Sequence, residues 1–425
     1  GPGTAVTLAC GATQTGFGRT GTVDWCTTAK TSPFTAVSGD GFFLNTTGGA
    51  ITVTLPSSPS AGDIVAFKDY ANTWDSNAVT LCRNGSKIGG VCANGVLDTE
   101  SQSVTLIYVD GTKGWQDIHD STANISGNPG FIAATGGTVT TSGDYKIHTF
   151  TGSGCFAVSN ISGTGVGAKV SYVVVAGGAA GGFASANAAG GGGAGGFREG
   201  KQACGGYTAS PLAATPCSGL PVSVQTYPIS IGAGGAAPPG ACNNGGSGAN
   251  SIFSTITSTG GGGGGYAANI GTAGGSGGGG GGGISSGKVG GAGNTPNVSP
   301  PQGNTGGTGG SPSPDRQAGG GGGATAVGVS AIPGASGAGG AGATSSINAT
   351  PTARAGGGGA GGSGCTPGAG GAGGAGGGGA GGQTPGTNEG TAGTVNTGGG
   401  GGGGANGNPG GIGGSGVVII RYKFQ

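Results

Sequence analysis

The first part of the chain alternates apolar and polar positions with the short period of β-strands. Candidate strands between residues 36 and 126 are rich in β-branched and aromatic residues and are separated by turn dipeptides such as Asn84-Gly85 and Asp110-Gly111. These strands occupy residues 41–44, 51–55, 64–70, 79–82 and 104–109. The pattern predicts a small β-sandwich or barrel domain over residues 36–126.

Further strand patterns precede a long glycine-rich region. Residues 127–176 contain candidate strands at 144–150 and 168–175, and the glycine-rich domain follows at 177–425. Apolar islands interrupt its glycine runs at 221–231, at 251–256 and at the closing strand 417–424. We expect these islands to form one small sheet with residues 168–176, from which the glycine-rich segments leave and to which they return.

Residues 1–35 form a Gly- and Thr-rich N-terminal arm. Its residues 4–9 alternate weakly, with Val6 and Leu8 on one side. Such a terminal strand is a candidate for addition to the sheet edge of a neighbouring molecule. An edge strand within the same molecule is an equally good interpretation.

Glycine accounts for 118 of the 425 residues, whereas charged residues make up only 7%. Average glycine usage is about 7%. A collagen triple helix is excluded because it requires a strict Gly-X-Y period. A flexible linker and a bundle of extended, three-residue-per-turn helices of the polyglycine II type remain, and the second requires glycine for close backbone approach. The cysteines and the closing strand favour the bundle. We therefore predict an all-β fold, with a β-sandwich or barrel followed by packed polyglycine-II-like helices anchored on a small β-sheet.

The chain has nine cysteines and two histidines, and none of the cysteines forms a C-x-x-C pair. We therefore expect no metal site. The spacings fit disulfide-closed loops, which favours an oxidising, extracellular location and leaves one cysteine free or intermolecular. The candidate disulfide residues are Cys10 with Cys26, Cys82 with Cys92, Cys204 with Cys217, and additionally Cys242 and Cys365.

Six Asn-x-Ser/Thr sequons are candidate glycosylation sites, although chance is a sufficient explanation in a chain rich in Asn, Ser and Thr. They are Asn45, Asn84, Asn124, Asn160, Asn297 and Asn348.

Several ordered motifs resemble the glycine-rich domain of bacteriophage tail-fibre and adhesin proteins. They are YVVVAGG at 172–178, GGGAGGFR at 191–198, ISIGAGG at 229–235, GGSGANSIF at 245–253 and the ending GGSGVVIIRY at 413–422. Upstream, residues 51–59, 61–63, 83–88 and 114–115 resemble a β-domain of phage structural proteins. The two resemblances together span most of residues 36–425.

This resemblance implies a non-enzymatic fibre subunit whose glycine-rich loops form a receptor-binding tip, commonly as a homotrimer. The partner would be a cell-surface glycan or protein. The nine cysteines depart from that group, and the absence of methionine suggests a processed chain. Both favour the alternative of a secreted, self-assembling cellular filament whose subunits are joined by N-terminal strand addition.

Other functional classes receive little support from the sequence. The net charge of +1 with scattered Lys and Arg argues against a nucleic-acid partner. No apolar stretch approaches 18 residues, so we expect no membrane insertion. Residues 282–289 resemble a phosphate-binding loop, but Val289 replaces its magnesium-binding Ser or Thr. We expect no catalytic residues and no cofactor.

Overall fold

The computed structural model describes residues 23–120, 131–161, 168–184, 187–202, 205–214, 218–266, 269–283, 287–310, 316–363 and 368–424. Every regular element in these ranges is a β-strand, which confirms the all-β class. No helix in the described ranges has the length and apolar character needed to cross a lipid bilayer. The chain divides into two compact units, and their described parts are residues 23–120 and residues 131–424.

The first unit consists of two sheets. Its strands are β1 (Asp24–Lys30), β2 (Phe34–Thr35), β3 (Asp40–Leu44), β4 (Ile51–Thr54), β5 (Ile64–Asp69), β6 (Val79–Cys82), β7 (Gly95–Leu97), β8 (Ser103–Tyr108) and β9 (Trp115–Asp120). One sheet has the order β1-β3-β5-β8-β9 and the other β2-β4-β6-β7. The alternating residues of both sheets bury one shared core, in which Trp74 and Trp115 are the largest side chains.

The N-terminal boundary of this unit differs from the sequence prediction. β1 and β2 lie within the predicted arm of residues 1–35, yet β1 pairs in parallel with β3 and β2 pairs in parallel with β4. Parallel strands are joined by long connections and not by a short turn, so the sequence contains no hairpin signal for this pairing. The candidate assembly residues Val6 and Leu8 lie outside the described residues.

The second unit begins with strands β10 (Ala133–Thr135), β11 (Thr138–Ser142), β12 (Tyr145–Phe150), β13 (Gly154–Asn160) and β14 (Lys169–Val175). It continues with β15 (Phe197–Gly200), β16 (Leu220–Pro221), β17 (Thr226–Ser230), β18 (Ser251–Phe253), β19 (Ile256–Ser258), β20 (Ala343–Ser345), β21 (Thr352–Arg354) and β22 (Val417–Lys423). The closing strand β22 lies between β12 and β14 and is antiparallel to both.

The apolar islands divide between two sheets rather than joining one. β22 pairs with β14 as expected, in the sheet ordered β11-β12-β22-β14-β15. The islands at β17 and β18 instead join β10, β13 and β19. Phe156, Phe253 and Tyr422 belong to one core cluster that takes side chains from both sheets. The islands therefore pack against the closing strand face to face, which buries their apolar side chains more fully than an edge position would.

The segments between residues 176 and 416 that lie outside strands are called the glycine lattice below. In residues 176–184, backbone N–H groups donate to three neighbouring segments in turn, with a period of three residues. The first series joins Gly177, Ala180 and Phe183 to the carbonyls of Ala249, Gly246 and Asn243, at 3.0, 2.9 and 3.1 Å. The second joins Gly178, Gly181 and Ala184 to Gly414, Gly411 and Asn408, at 2.9, 3.0 and 3.1 Å. The third joins Ala179 and Gly182 to Gly193 and Gly190, at 2.9 and 3.0 Å.

Candidate functional site: the glycine lattice and the polar cluster at its base

In the interior of the glycine lattice, the segment 188–196 is surrounded by other backbone segments on all sides. Residues 188–196 donate backbone hydrogen bonds to residues 398–404, 259–265 and 319–322, and accept them from residues 176–182, 276–282 and 358–361. These six neighbours pair most of the backbone groups of the segment through backbone hydrogen bonds. A buried backbone group that is paired avoids the penalty of an unmade hydrogen bond, which is about 1–3 kcal/mol.

Only glycine fits at most interior positions. Gly192 donates to the carbonyl of Gly401 at 2.8 Å and accepts from the N–H of Gly358 at 2.9 Å. A Cβ atom placed on Gly192 would overlap the backbone of Ala179 and Ala180. The glycine content therefore has a structural cause, because neighbouring segments approach more closely than a side chain permits.

The lattice has two distinct ends. Its base is the end that joins the strands, where Ala176 follows β14 directly and donates to the carbonyl of Gly196 at 3.0 Å. At the opposite end, which we call the distal end, Ala184 donates to Asn408 at 3.1 Å and Gly282 donates to Ala188 at 3.1 Å. The distal turns whose residues are all described lie at 237–242, 332–335, 383–389 and 405–408.

A buried polar cluster lies at the base. The carboxylate of Glu199 on β15 is only 2% exposed, and it accepts hydrogen bonds from the backbone N–H of Ser210 at 2.8 Å and the hydroxyl of Ser345 at 2.6 Å. Arg354 on β21 is 5% exposed. Burial lowers the pKa of Arg354, and the negative charge of Glu199 partly opposes that shift. This carboxylate therefore connects β15 with two other parts of the chain, the segment between β15 and β16 that contains Ser210 and the β20–β21 hairpin.

Arg421 on β22 extends the same cluster. Its guanidinium carbon lies 4.4 Å from the ring centroid of Tyr145 and 5.6 Å from that of Tyr207. Two of its nitrogens donate to the carbonyls of Ile347 and Gly206, each at 3.2 Å. Burial lowers the pKa of Arg421 and raises that of Tyr207. Through the Arg421 side chain, the closing strand β22 therefore contacts both the β20–β21 hairpin and the segment between β15 and β16.

His148 on β12 is buried between the two sheets. Its Nδ1–H donates to the carbonyl of Gly136 at 2.7 Å, which leaves Nε2 to accept from the Tyr422 hydroxyl at 3.0 Å. Burial is the main cause that lowers the pKa of His148 below its ordinary value of 6.5. The neutral imidazole is therefore the form that fits this site.

We expect the stability of the second unit to fall as the pH drops below about 6.5, the unfolded pKa. Below this pH, His148 binds a proton in the unfolded state but not in the native state. The free energy of unfolding therefore falls by up to about 1.4 kcal/mol for each pH unit until the pKa of the folded state is reached. Denaturant titrations at pH 7.5 and pH 5.5 measure the loss. His148→Gln should remove most of this dependence, whereas substitution of the exposed His119 by Gln should retain it. An identical dependence in His148→Gln would contradict the assignment.

The described cysteines do not form the predicted local disulfide. Cys26, Cys82, Cys155 and Cys242 have free thiols. The Cys82–Cys92 bridge is therefore not present in the structure, and Cys26, the predicted partner of Cys10, is not part of a disulfide either. Cys10, Cys204, Cys217 and Cys365 lie outside the described residues, so the Cys204–Cys217 pairing stays a prediction.

The sequons differ in their accessibility. Asn84, Asn160 and Asn297 are exposed, and Asn45 and Asn348 are half-buried. The amide of Asn84 donates to the carbonyl of Leu55 at 2.9 Å, so a glycan there would compete with a structural hydrogen bond. Asn124 lies outside the described residues. Glycosylation stays a prediction at all six positions.

Sequence reasoning missed the polar cluster at the base. Glu199, Arg354 and Arg421 are far apart in the chain. The scarcity of charged residues in the glycine-rich domain was the one sequence signal that could have directed attention to them. Within the described ranges, no group of three or more His, Cys, Asp or Glu residues is placed to hold a metal ion. The cluster of serines, tyrosines and arginines around one carboxylate can position backbone segments, and this is the chemistry it supports.

A family model described as a glycine-rich domain matches residues 157–423. The match includes the glycine lattice, the closing strand β22, and Glu199, Arg354 and Arg421 of the polar cluster. Comparison with curated proteins gives no match. Because the matched range is more than half of the chain, this protein belongs to the glycine-rich domain family.

Proposed function

We propose that this protein is a non-enzymatic structural subunit of an extracellular fibre, of the kind found in phage tail fibres and adhesins. The observation that carries the proposal is the lattice interior, where residues 188–196 exchange backbone hydrogen bonds with six surrounding segments. Such close backbone packing makes the domain rigid, and glycine has no side chain that could take part in a reaction. Rigidity along one direction is what a fibre element requires.

We further propose that the lattice segments are polyglycine-II-like helices. A three-residue helix directs successive N–H and C=O groups outward at even angles and makes no internal hydrogen bonds. The three-residue period of the bonds from residues 176–184 and the six neighbours of residues 188–196 support this interpretation. Anchoring by β14 and β22 compensates for the conformational entropy that glycine loses on ordering.

In this proposal the distal end presents the receptor-binding surface. Turns at 237–242, 332–335, 383–389 and 405–408 connect lattice segments and do not contribute to the strands at the base. Turns held by a rigid scaffold can vary in sequence without loss of the fold. The partners would be further copies of the chain and a cell-surface glycan or protein.

Electron microscopy and sedimentation of the purified full chain test this function. The proposal predicts elongated homo-oligomers, either discrete trimers or helical filaments, that bind intact target cells. Binding should be lost when the distal turn at residues 332–335 is replaced by a Gly-Ser sequence of equal length, while the melting temperature stays within a few degrees. A chain that remains a compact monomer at every concentration would contradict the fibre role.

A second candidate function, a secreted filament joined by strand addition, is favoured by one specific observation. β1 forms an outer edge of the first unit's five-stranded sheet, and its Trp25 is exposed. Unprotected edge strands are sites where another chain can pair. In this function the subunits would contact each other through the N-terminal arm.

A further inference from the structure

We propose that the outer edge of β1 is the acceptor for an added strand, and that its occupant is residues 4–9 of a second copy of this chain. The inference rests on the second candidate function and specifies the two surfaces that would meet.

Among the described residues, no strand pairs with the outer side of β1. Asp24 donates its N–H to the carbonyl of Gly39 at 2.8 Å, so this group points toward β3. Because successive residues of a strand point their N–H groups in opposite directions, those of Trp25 and Thr27 face away from β3. β1 is the first strand in the order β1-β3-β5-β8-β9, so these groups face the outside of the sheet.

The central residues of β1 are less protected against pairing than those of the opposite edge strand. β1 contains no proline and is charged only at its end residues, Asp24 and Lys30, and its pairing with β3 shifts register between Cys26 and Lys30. The opposite edge strand, β9, carries Asp117, His119 and Asp120. Charges are a common device that prevents edge-to-edge contact, so β1 is the better acceptor of the two.

Trp25 provides an apolar platform beside this edge. Its side chain is 41% exposed, and its ring centroid lies 5.0 Å from that of Phe43. Its ring also covers Gly41, where any Cβ atom would overlap it. Covering the rest of the ring would remove apolar surface from water, which favours association.

The chain before β1 contains a matching segment. Residues 4–9 read TAVTLA, an alternating pattern with no charge. The connection from residue 10 to residue 23 contains 14 residues, whereas hairpin loops usually have about 2–5. The length of this connection excludes a tight hairpin onto β1 of the same molecule, whereas a second copy offers the same edge without such a turn. A parallel return through a crossover of this length is the competing outcome that the full-length chain tests.

Tryptophan fluorescence offers a direct test. The chain has three tryptophans, and the other two, Trp74 and Trp115, are fully buried. A variant that lacks residues 1–20 should be a folded monomer whose Trp25 is quenched by acrylamide. A synthetic peptide of residues 2–9 should bind it saturably, shift the emission to shorter wavelength and reduce the quenching.

Two substitutions at one position separate strand pairing from nonspecific contact. Thr27→Pro removes an outward N–H and should weaken peptide binding at least about tenfold, whereas Thr27→Ala keeps the N–H and should bind normally. Equal melting temperatures of the two variants establish that both are folded. Absence of peptide binding, or equal binding to both variants, would overturn the proposal.

The full chain supplies the remaining outcomes. Concentration-dependent assembly that is lost on removal of residues 1–20 supports pairing between copies. A full-length monomer with shielded Trp25 at all concentrations would show pairing within one molecule and overturn the proposal. Fibres that form equally well without residues 1–20 would also overturn it, but they would leave the fibre function intact.

Discussion

Replacing Gly192 by alanine is expected to lower the free energy of unfolding of the second unit by about 3 kcal/mol, a large fraction of a typical domain's stability. The new methyl group would overlap the backbone of Ala179 and Ala180, which cannot rotate away as a flexible side chain would. Separation of these segments would also weaken the hydrogen bonds of Gly192 to Gly401 and Gly358. Denaturant titration monitored by circular dichroism measures the loss.

Gly240→Ala is the matched control in the same glycine-rich domain. A Cβ atom on Gly240 has no neighbour within 4 Å. This substitution should change the stability by no more than about 1 kcal/mol and can increase it, because alanine restricts the unfolded chain. Equal effects at the two positions would show that segments 176–184 and 188–196 are not packed as described.

The second large effect is expected for Glu199→Ala, which should destabilise the second unit by about 3–5 kcal/mol, because it leaves two buried donors without an acceptor and removes a buried charge near Arg354. The substitution would leave the N–H of Ser210 and the hydroxyl of Ser345 without their acceptor. It would also remove the charge that offsets the burial of Arg354. Thermal and denaturant unfolding provide the measurement.

Glu389→Ala is the corresponding control, because Glu389 also lies in the glycine-rich domain but is exposed. Its removal should change the stability by less than about 0.5 kcal/mol. A Glu199→Ala variant that is as stable as this control would mean that the polar cluster does not hold the base of the lattice together.

Alternation and β-branched residues determine which segments can cover a core, and for this reason the sequence predicted ten of the strands. They are β3, β4, β5, β6, β8, β12, β14, β17, β18 and β22. The closing strand β22 was predictable for the same reason, since its run VVIIRY needs burial on both faces, and β14 supplies a partner of similar composition. The assignment of β17 and β18 to the facing sheet was not predictable. Strand composition does not specify which of two packed sheets a strand joins.

Two other features depend on contacts between distant residues. β1 belongs to the first unit through parallel pairing with β3, which leaves no local turn signal. The contacts of Glu199 with Ser345 and of Arg421 with Ile347 join residues 146 and 74 positions apart. In the lattice, uniform glycine runs specify close packing but carry no side-chain pattern from which the neighbours of residues 188–196 could be derived.

The most direct test of the ordered lattice is amide hydrogen exchange of the full chain, resolved by peptide. The account predicts that residues 176–184 and 188–196 exchange at least about a thousandfold more slowly than an unfolded peptide of the same sequence, since their opening requires sub-global unfolding. Protection should be comparable to that of β14 and β22. Exchange of these glycine segments at the unfolded rate, with β14 and β22 still protected, would contradict it.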